Sequence, residues 1–439
     1  MGRRTLGIVA ALVTLTAGCG SRAERVDATR PTTRDPEPTT TTAVMTTTTN
    51  IAIHAPTATG GDPTVAGAAV TAFGTEFFNA VRGDTNAIVS PASVAIALAM
   101  LEPGANGQGK TELDAALHVT DAAAFHASMT ALRASLESAS TPAKQGNDYD
   151  PGELQIAIAN ATYLQGGYPI RPSYLADLGK YYGPGLKTVD FAHHGKEAVA
   201  DINKFISDGT RGKIDKVLDD VSPDTVLALV NALYLKASWL TPFPDGGTKR
   251  EPFTRRDGRQ VTADLMHGAS DASTSGEGWV AARKYYSERL AADFVLPAAG
   301  KFDDVAAHLA DVFPRLDGHV ADGTTLVAPK LTTRFHQEVG PALKQLGIKA
   351  VYGGGALMGI AEDPQLVLDQ AIHATFLAMD EHGTEAAAAT VLTARAASAM
   401  ADPPTPVPVV LDHPYVFRIV DRATGATLFI GQVLDPTAG

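Results

Sequence analysis

Residues 381–400 read Glu381-His382-Gly383-Thr384-Glu385-Ala386-Ala387-Ala388-Ala389-Thr390-Val391-Leu392-Thr393-Ala394-Arg395-Ala396-Ala397-Ser398-Ala399-Met400. Two regular structures compete for them. Alanine is the strongest helix former, and Asp402-Pro403-Pro404 follows where a helix would stop. An alanine-rich surface helix is therefore one reading. Read as a strand, the segment sorts by parity: Thr384, Ala386, Ala388, Thr390, Leu392, Ala394 and Ala396 are small or apolar, whereas Glu385 and Arg395 fall on the other parity. Side chains alternate faces along a strand, so one face would carry no charge. Such a strand can slide into a buried sheet, where a charge is very costly.

Working outward, the chain from residue 66 to its end is globular in composition, with no internal repeat. Helical periodicity covers Gly67 to Val81 and Pro91 to Leu101, the latter opened by Ser90-Pro91. Ala198 to Ser207 reads as a third helix. Apolar, strand-like runs occupy Gln155–Leu164, Val226–Leu235, Leu290–Leu296 and Thr427–Val433. Helices and strands mix without regular alternation, so the expected class is α+β. At 439 residues the chain has room for one large domain or two to three average ones.

The N-terminus differs in kind. Arg3 and Arg4 precede an apolar run from Leu6 to Ala17, and small residues follow, as in a secretory signal peptide. Leu15-Thr16-Ala17-Gly18-Cys19 resembles a bacterial lipobox, with Thr16 where leucine is usual. Residues 1–18 are thus expected to be cleaved and Cys19 to be lipidated, the alternative being a plain signal peptide with an incidental cysteine. Cys19 is the only cysteine, so no disulfide can form within the monomer. Residues 19–65 carry Thr39 to Thr42, Thr46 to Thr49 and Pro31, Pro36, Pro38 and Pro56. With so few large apolar side chains, this stretch is expected to be a flexible tether. No later run is long and apolar enough to span a membrane, so contact with one is expected through the lipid alone.

Six motifs in order give the chain a family resemblance. Asn86-Ala87-Ile88-Val89-Ser90-Pro91-Ala92-Ser93 comes first, followed by Thr210-Arg211-Gly212-Lys213-Ile214. Val230-Asn231-Ala232-Leu233-Tyr234-Leu235-Lys236-Ala237-Ser238-Trp239 comes next, then Glu381 to Thr390, Asp412-His413-Pro414-Tyr415 and Leu428-Phe429-Ile430-Gly431. Together they resemble the serpins, across residues 66–436. The resemblance implies one domain, residues 66–439, of several helices around three β-sheets, with an exposed and insertable reactive-centre loop. It also implies a suicide-substrate inhibitor of serine proteases, with cysteine proteases as a second class. The protease forms an acyl-enzyme on the loop, and the cut loop inserts into the main sheet and traps it.

Site roles follow from the same resemblance. The hinge is Glu381, Gly383, Thr384, Glu385, Ala386, Ala387, Ala388, Ala389 and Thr390, with Gly383 supplying backbone freedom. Its small residues favour an inhibitor, the alternative being a non-inhibitory binding protein of the same fold. The reactive bond is Ala397–Ser398, suiting an elastase-like or subtilisin-like protease, and Arg395 is the alternative for a trypsin-like one. Lys330 is expected to pair with Glu381, with Trp239 beneath the same opening. Ser90, Ser93, Asn231 and His373 form the expected polar cluster under the sheet, where the bland reading is hydrogen-bonded core residues.

Other classes are excluded or left unsupported. The formal charge of −12 argues against nucleic-acid binding. There is no Gly-x-Ser-x-Gly or His-Glu-x-x-His motif, so no enzyme, metal or cofactor is implied. His193-His194 lacks spaced partners for zinc, and Gly353-Gly354-Gly355 reads as a turn. Between Asp121 and Ser138 Arg133 is the only basic side chain besides histidine, which speaks against activation by a polyanion. A monomer is expected.

Overall fold

A computed structural model describes residues 49–50, 55–140, 153–318, 320–384 and 406–438. Cys19, Glu385, Ala386, Ala387, Ala388, Ala389, Thr390, Arg395, Ala397 and Ser398 lie outside the described residues. Helices pack around three sheets of seven, seven and four strands, an α+β architecture. No helix among the described residues is long and apolar enough to cross a membrane.

The main sheet runs, edge to edge, Thr49–Asn50, Leu186–Val189, Leu154–Gln165, Leu227–Ser238, Gly383–Thr384, Gln370–Asp380 and Leu331–Glu338. Strand Leu227–Ser238 is mostly apolar because both of its faces are covered. Leu227, Leu229, Leu233, Leu235 and Ala237 join the large core. Ala228, Val230 and Ala232 face a smaller apolar layer with Val199, Ile202 and Ile206 of helix Gly195–Gly209. Helix Pro91–Leu101 lies in the large core with all eleven residues buried. Pro91 stands at its start, and the Ser90 side chain accepts from the Ser93 amide at 3.3 Å, an N-cap. A Cβ on Gly74 would sit 2.6 Å from the Pro91 side chain, so glycine lets the preceding helix, Pro63–Val81, cross closely.

That preceding helix starts earlier than its periodicity suggests. Asp62 caps it, accepting from the Thr64 amide at 2.9 Å, and Pro63 occupies the first turn. The boundary drawn at residue 66 therefore falls inside a helix. Residues before it are already tied down: the Thr57 and Ala58 amides donate to the Lys180 carbonyl at 3.0 and 2.9 Å, and the Asp62 amide donates to Ser128 Oγ at 3.2 Å. Composition hides this because the attachment is made by backbone groups.

The second sheet, built on Trp279–Tyr285, Leu290–Pro297, Tyr415–Asp421 and Ala426–Val433, buries a charge network. Arg283, Asp293 and Arg418 sit opposite one another on three adjacent strands. Arg283 and Arg418 each reach Asp293 at 2.6 Å and Asp317 at 2.7 and 2.8 Å. Burial alone would raise the Asp293 carboxyl, but the two guanidiniums hold it below its ordinary value. Removing one member leaves the others charged and buried. Asp293→Ala is expected to cost about 3–5 kcal/mol in chemical denaturation, and a loss below about 1 kcal/mol would show that the network is dispensable.

Candidate functional site

The site is a seam in the main sheet. Strands Leu227–Ser238 and Gln370–Asp380 pair in parallel over six rows, from Ala228 with Gln370 to Leu233 with Thr375. Above that row they part. At the top, Gly383–Thr384 lies between them, antiparallel to both: Thr384 pairs with Ala237 and Met379, and Gly383 with Ser238 and Asp380.

A tight turn delivers this wedge. Asp380 Oδ1 accepts from the His382 and Gly383 amides at 2.9 and 3.2 Å. Gly383 has φ of 150°, and a Cβ there would lie 2.2 Å from the Ala237 carbonyl oxygen, so only glycine fits. Thr384 is fully buried, with Oγ1 2.6 Å from the Tyr286 hydroxyl. Tyr286 in turn stacks on Trp239, with centroids 4.0 Å apart and planes at 10°. Trp239 Nε1 donates to the Asp380 carbonyl at 3.0 Å, and its amide donates to the His382 carbonyl at 2.8 Å. Lys284 is buried beside this stack, 4.6 Å from the Phe243 ring centre, and donates to the Ala269 carbonyl at 2.8 Å. Burial lowers its ammonium to about 8, against the pull of Asp271.

Glu381 and Lys330 meet at 2.8 Å, and Thr248 Oγ1 also donates to the Glu381 carboxylate. Burial pushes that carboxyl up, but the bonds from Lys330 and Thr248 outweigh it and hold it below its ordinary value. His382 Nε2 lies 3.1 Å from Asp245. The turn is thus held from several sides by backbone, aromatic and ionic contacts.

Beneath the closed rows sits the polar cluster. The Ser90 amide donates to His373 Nε2 at 2.9 Å, which leaves the ring proton on Nδ1, donating to Asn231 Oδ1 at 2.5 Å. Asn231 Nδ2 donates to the Ile372 carbonyl at 3.0 Å. His373 and Asn231 are partners in the seam's own register, so this bond stitches the two strands together. Burial lowers the imidazole to about 3, keeping it neutral. Ser93 Oγ donates to Asn160 Oδ1 at 3.0 Å, and Asn160 Nδ2 returns a bond to the Ser93 carbonyl.

Ser90, Asn231, His373, Trp239, Glu381, Gly383 and Thr384 therefore border one seam, which Lys330 reaches through Glu381 and Ser93 through Asn160 on the adjoining strand. Sequence reading missed Asn160 and Tyr286. Asn160 pairs in register with Asn231 across the adjoining strands, and a polar residue inside the run Gln155–Leu164 was its only signal. Tyr286 had none, because its stacking on Trp239 exists only in the folded chain. Among the described residues, no group of His, Cys, Asp or Glu could hold a metal ion.

The Glu381 carboxyl makes a pH prediction. Its folded-state value is depressed, so its contribution is complete above the ordinary carboxylate range and vanishes as pH falls through the lower native value. Wild type is expected to exceed Glu381→Gln in stability at neutral pH, with the gap closing on acidification. A gap that is unchanged across the titration, in denaturation series at stepped pH, would contradict the pairing.

The chain matches the family model for Serpin (serine protease inhibitor) over residues 68–436. It is 30% identical over 376 residues to an uncharacterized serpin-like protein of Thermococcus kodakarensis, covering 84% of this chain and 86% of that one. It is 31% identical over 361 residues to alpha-1-antiproteinase of Rattus norvegicus, covering 80% and 84%. Among solved structures it is similar in fold to the native state of the thermophilic serpin tengpin, with a TM-score of 0.77, 22% identity and coverage of 88% and 99%. A complex of human thyroxine-binding globulin gives a TM-score of 0.71 at 26% identity, covering 85% and 99%. The chain belongs to the serpin family.

Proposed function

We propose that this serpin is a suicide-substrate inhibitor of serine proteases that traps its target by completing the strand that Gly383–Thr384 begins. The observation that carries the reading is the wedge itself: Thr384 already pairs with both Ala237 and Met379. Continuing that register brings Ala386, Ala388 and Thr390 onto the face of Thr384, opposite Leu235, Leu233 and Asn231. Thr390 then arrives where His373 bonds Asn231, so insertion must open the six closed rows and that bond. The other face receives Glu385, Ala387 and Ala389 beneath the helix layer. Small, uncharged side chains on the face of Thr384, and alanines after Glu385 on the other, suit a strand that has to enter without delay.

In the proposed cycle the protease serine attacks the Ala397 carbonyl, the Ala397–Ser398 bond breaks, and the new amine on Ser398 leaves. The acyl group stays on the protease as an ester. Insertion then carries the ester-linked protease across the molecule before water can hydrolyse it. Alanine at the acyl position suits elastase-like or subtilisin-like enzymes, and cleavage after Arg395 would instead suit a trypsin-like one. Lipid attachment at Cys19 would hold the domain at the cell envelope by its tether. Mass spectrometry of the mature N-terminus tests this, and an unmodified Cys19 or a different cleavage point would overturn it.

The test of inhibition is incubation of the mature chain with elastase, subtilisin and trypsin, followed by SDS electrophoresis and mapping of the cut. An SDS-stable covalent complex with at least one protease is expected, with cleavage at 397–398 or after 395. Thr384→Arg, which puts a charge into the core beside Tyr286, is expected to turn the inhibitor into a plain substrate. Clean cleavage of wild type by every protease, with no complex, would instead favour a binding protein of the same fold.

A further inference from the structure

The turn that follows helix Gly195–Gly209 holds an unusual residue directly over the seam. Thr210 fastens this turn: its hydroxyl donates to the Ile206 carbonyl at 2.8 Å and accepts from the Ile214 amide at 3.2 Å. Arg211 follows with φ of +53°, a left-handed conformation that costs a residue with a Cβ free energy and persists only where its surroundings enforce it. Gly212 continues at φ +74°. This pair of positive angles turns two cations toward the sheet. The Arg211 guanidinium lies 5.2 Å from the Tyr234 ring centre and also donates to Gln155 Oε1. Lys213 Nζ lies 5.6 Å from the Phe376 ring centre, and Arg334 flanks the same ring at 5.0 Å.

The two rings mark a particular place. The closed rows end at Leu233 with Thr375, so Tyr234 and Phe376 are the first residues above them, one on each strand of the fork. A single four-residue turn therefore rests a cation on both sides of the point where opening must propagate. Admitting a strand moves those two strands apart by roughly one further interstrand spacing, about 4.8 Å. The turn cannot follow both rings at once, so at least one cation–π contact must break.

The geometry points to Arg211 and Lys213 as positioning residues that clamp the fork and slow entry of a strand into the seam. This rests on the insertion reading given above. Its sense is restraint: the clamp helps keep the six rows closed in the uncut molecule, and the driving force of the cut loop must overcome it.

The experiment measures uptake of a synthetic peptide with the sequence of residues 384–397 by the mature chain, followed by native electrophoresis. Arg211→Gly combined with Lys213→Met keeps the turn conformation and an apolar stem while removing both cations. It is expected to take up the peptide about tenfold faster, with a denaturation midpoint close to wild type, and Lys213→Arg alone should retain the wild-type rate. Tyr234→Leu with Phe376→Leu, which removes the rings from the sheet side, should give the same acceleration and decides the matter if the first variant fails to fold. Wild-type uptake with no acceleration in either double variant would overturn the clamp alone. No uptake by wild type would overturn the insertion reading, and the clamp with it.

Discussion

Two strands that run parallel are held together by six rows of backbone pairing and by the Asn231 side chain, which accepts from His373 Nδ1 and donates to the Ile372 carbonyl. Most of what is specific to this molecule is arranged around that seam. Below it, Ser90 caps the buried helix and offers its own amide to the other nitrogen of the same imidazole. Above it, Gly383 and Thr384 occupy the top of the gap. The seam is closed by ordinary contacts, each worth about 1 kcal/mol net. In the proposed insertion those contacts would be given up one row at a time.

The second sheet is built on the opposite plan. Asp293 is ionised inside the core because two arginines face it in register, and Asp317 completes the set. Such a network tolerates no partial dismantling, since each member lost strands a charge. The main sheet places no comparable charge within its closed rows: His373 is neutral, and the ionised Glu381 stands at the upper rim, where Lys330 remains partly exposed. The two sheets thus differ in where buried charge is placed.

Much of this was legible along the chain, and the reasons for the exceptions are physical. Strand Leu227–Ser238 announced itself over Val226–Leu235 because burial on both faces leaves an apolar run interrupted there by Asn231 alone. Helix Pro91–Leu101 was read to its ends because Ser90 and Pro91 fix its start. Helix Gly195–Gly209 was read short at both ends, its glycines being poor signals of helix. The alanine-rich stretch was ambiguous between helix and strand, and only its first two residues past the turn, Gly383 and Thr384, are described as strand. Asn160 and Tyr286 escaped notice because their meaning lies in register and stacking, which join residues far apart in sequence. Arg211 belonged to a recognised motif, but its left-handed backbone and the ring beneath it are properties of the fold alone.

The geometry of the wedge also bears on why the uncut chain would rest short of its lowest free energy. The closed seam is one parallel ladder, whose slanted hydrogen bonds are slightly less stable per residue than antiparallel ones. The wedge is antiparallel to both neighbours. Once past Tyr234 and Phe376, each row gained by the proposed insertion therefore exchanges one parallel pairing for two antiparallel ones, and successive rows bury side chains on alternate faces. The strand's entropy of ordering opposes the gain. So does the connection at the far end of the loop, which in an intact chain must still reach Val409–Val410, paired with Leu326–Val327 in the third sheet. Cutting the loop removes that second tie and leaves the ladder exchange in place. In this reading the protease supplies no energy by its attack; it releases a constraint, and the direction of motion is set by the antiparallel start that Thr384 has already made.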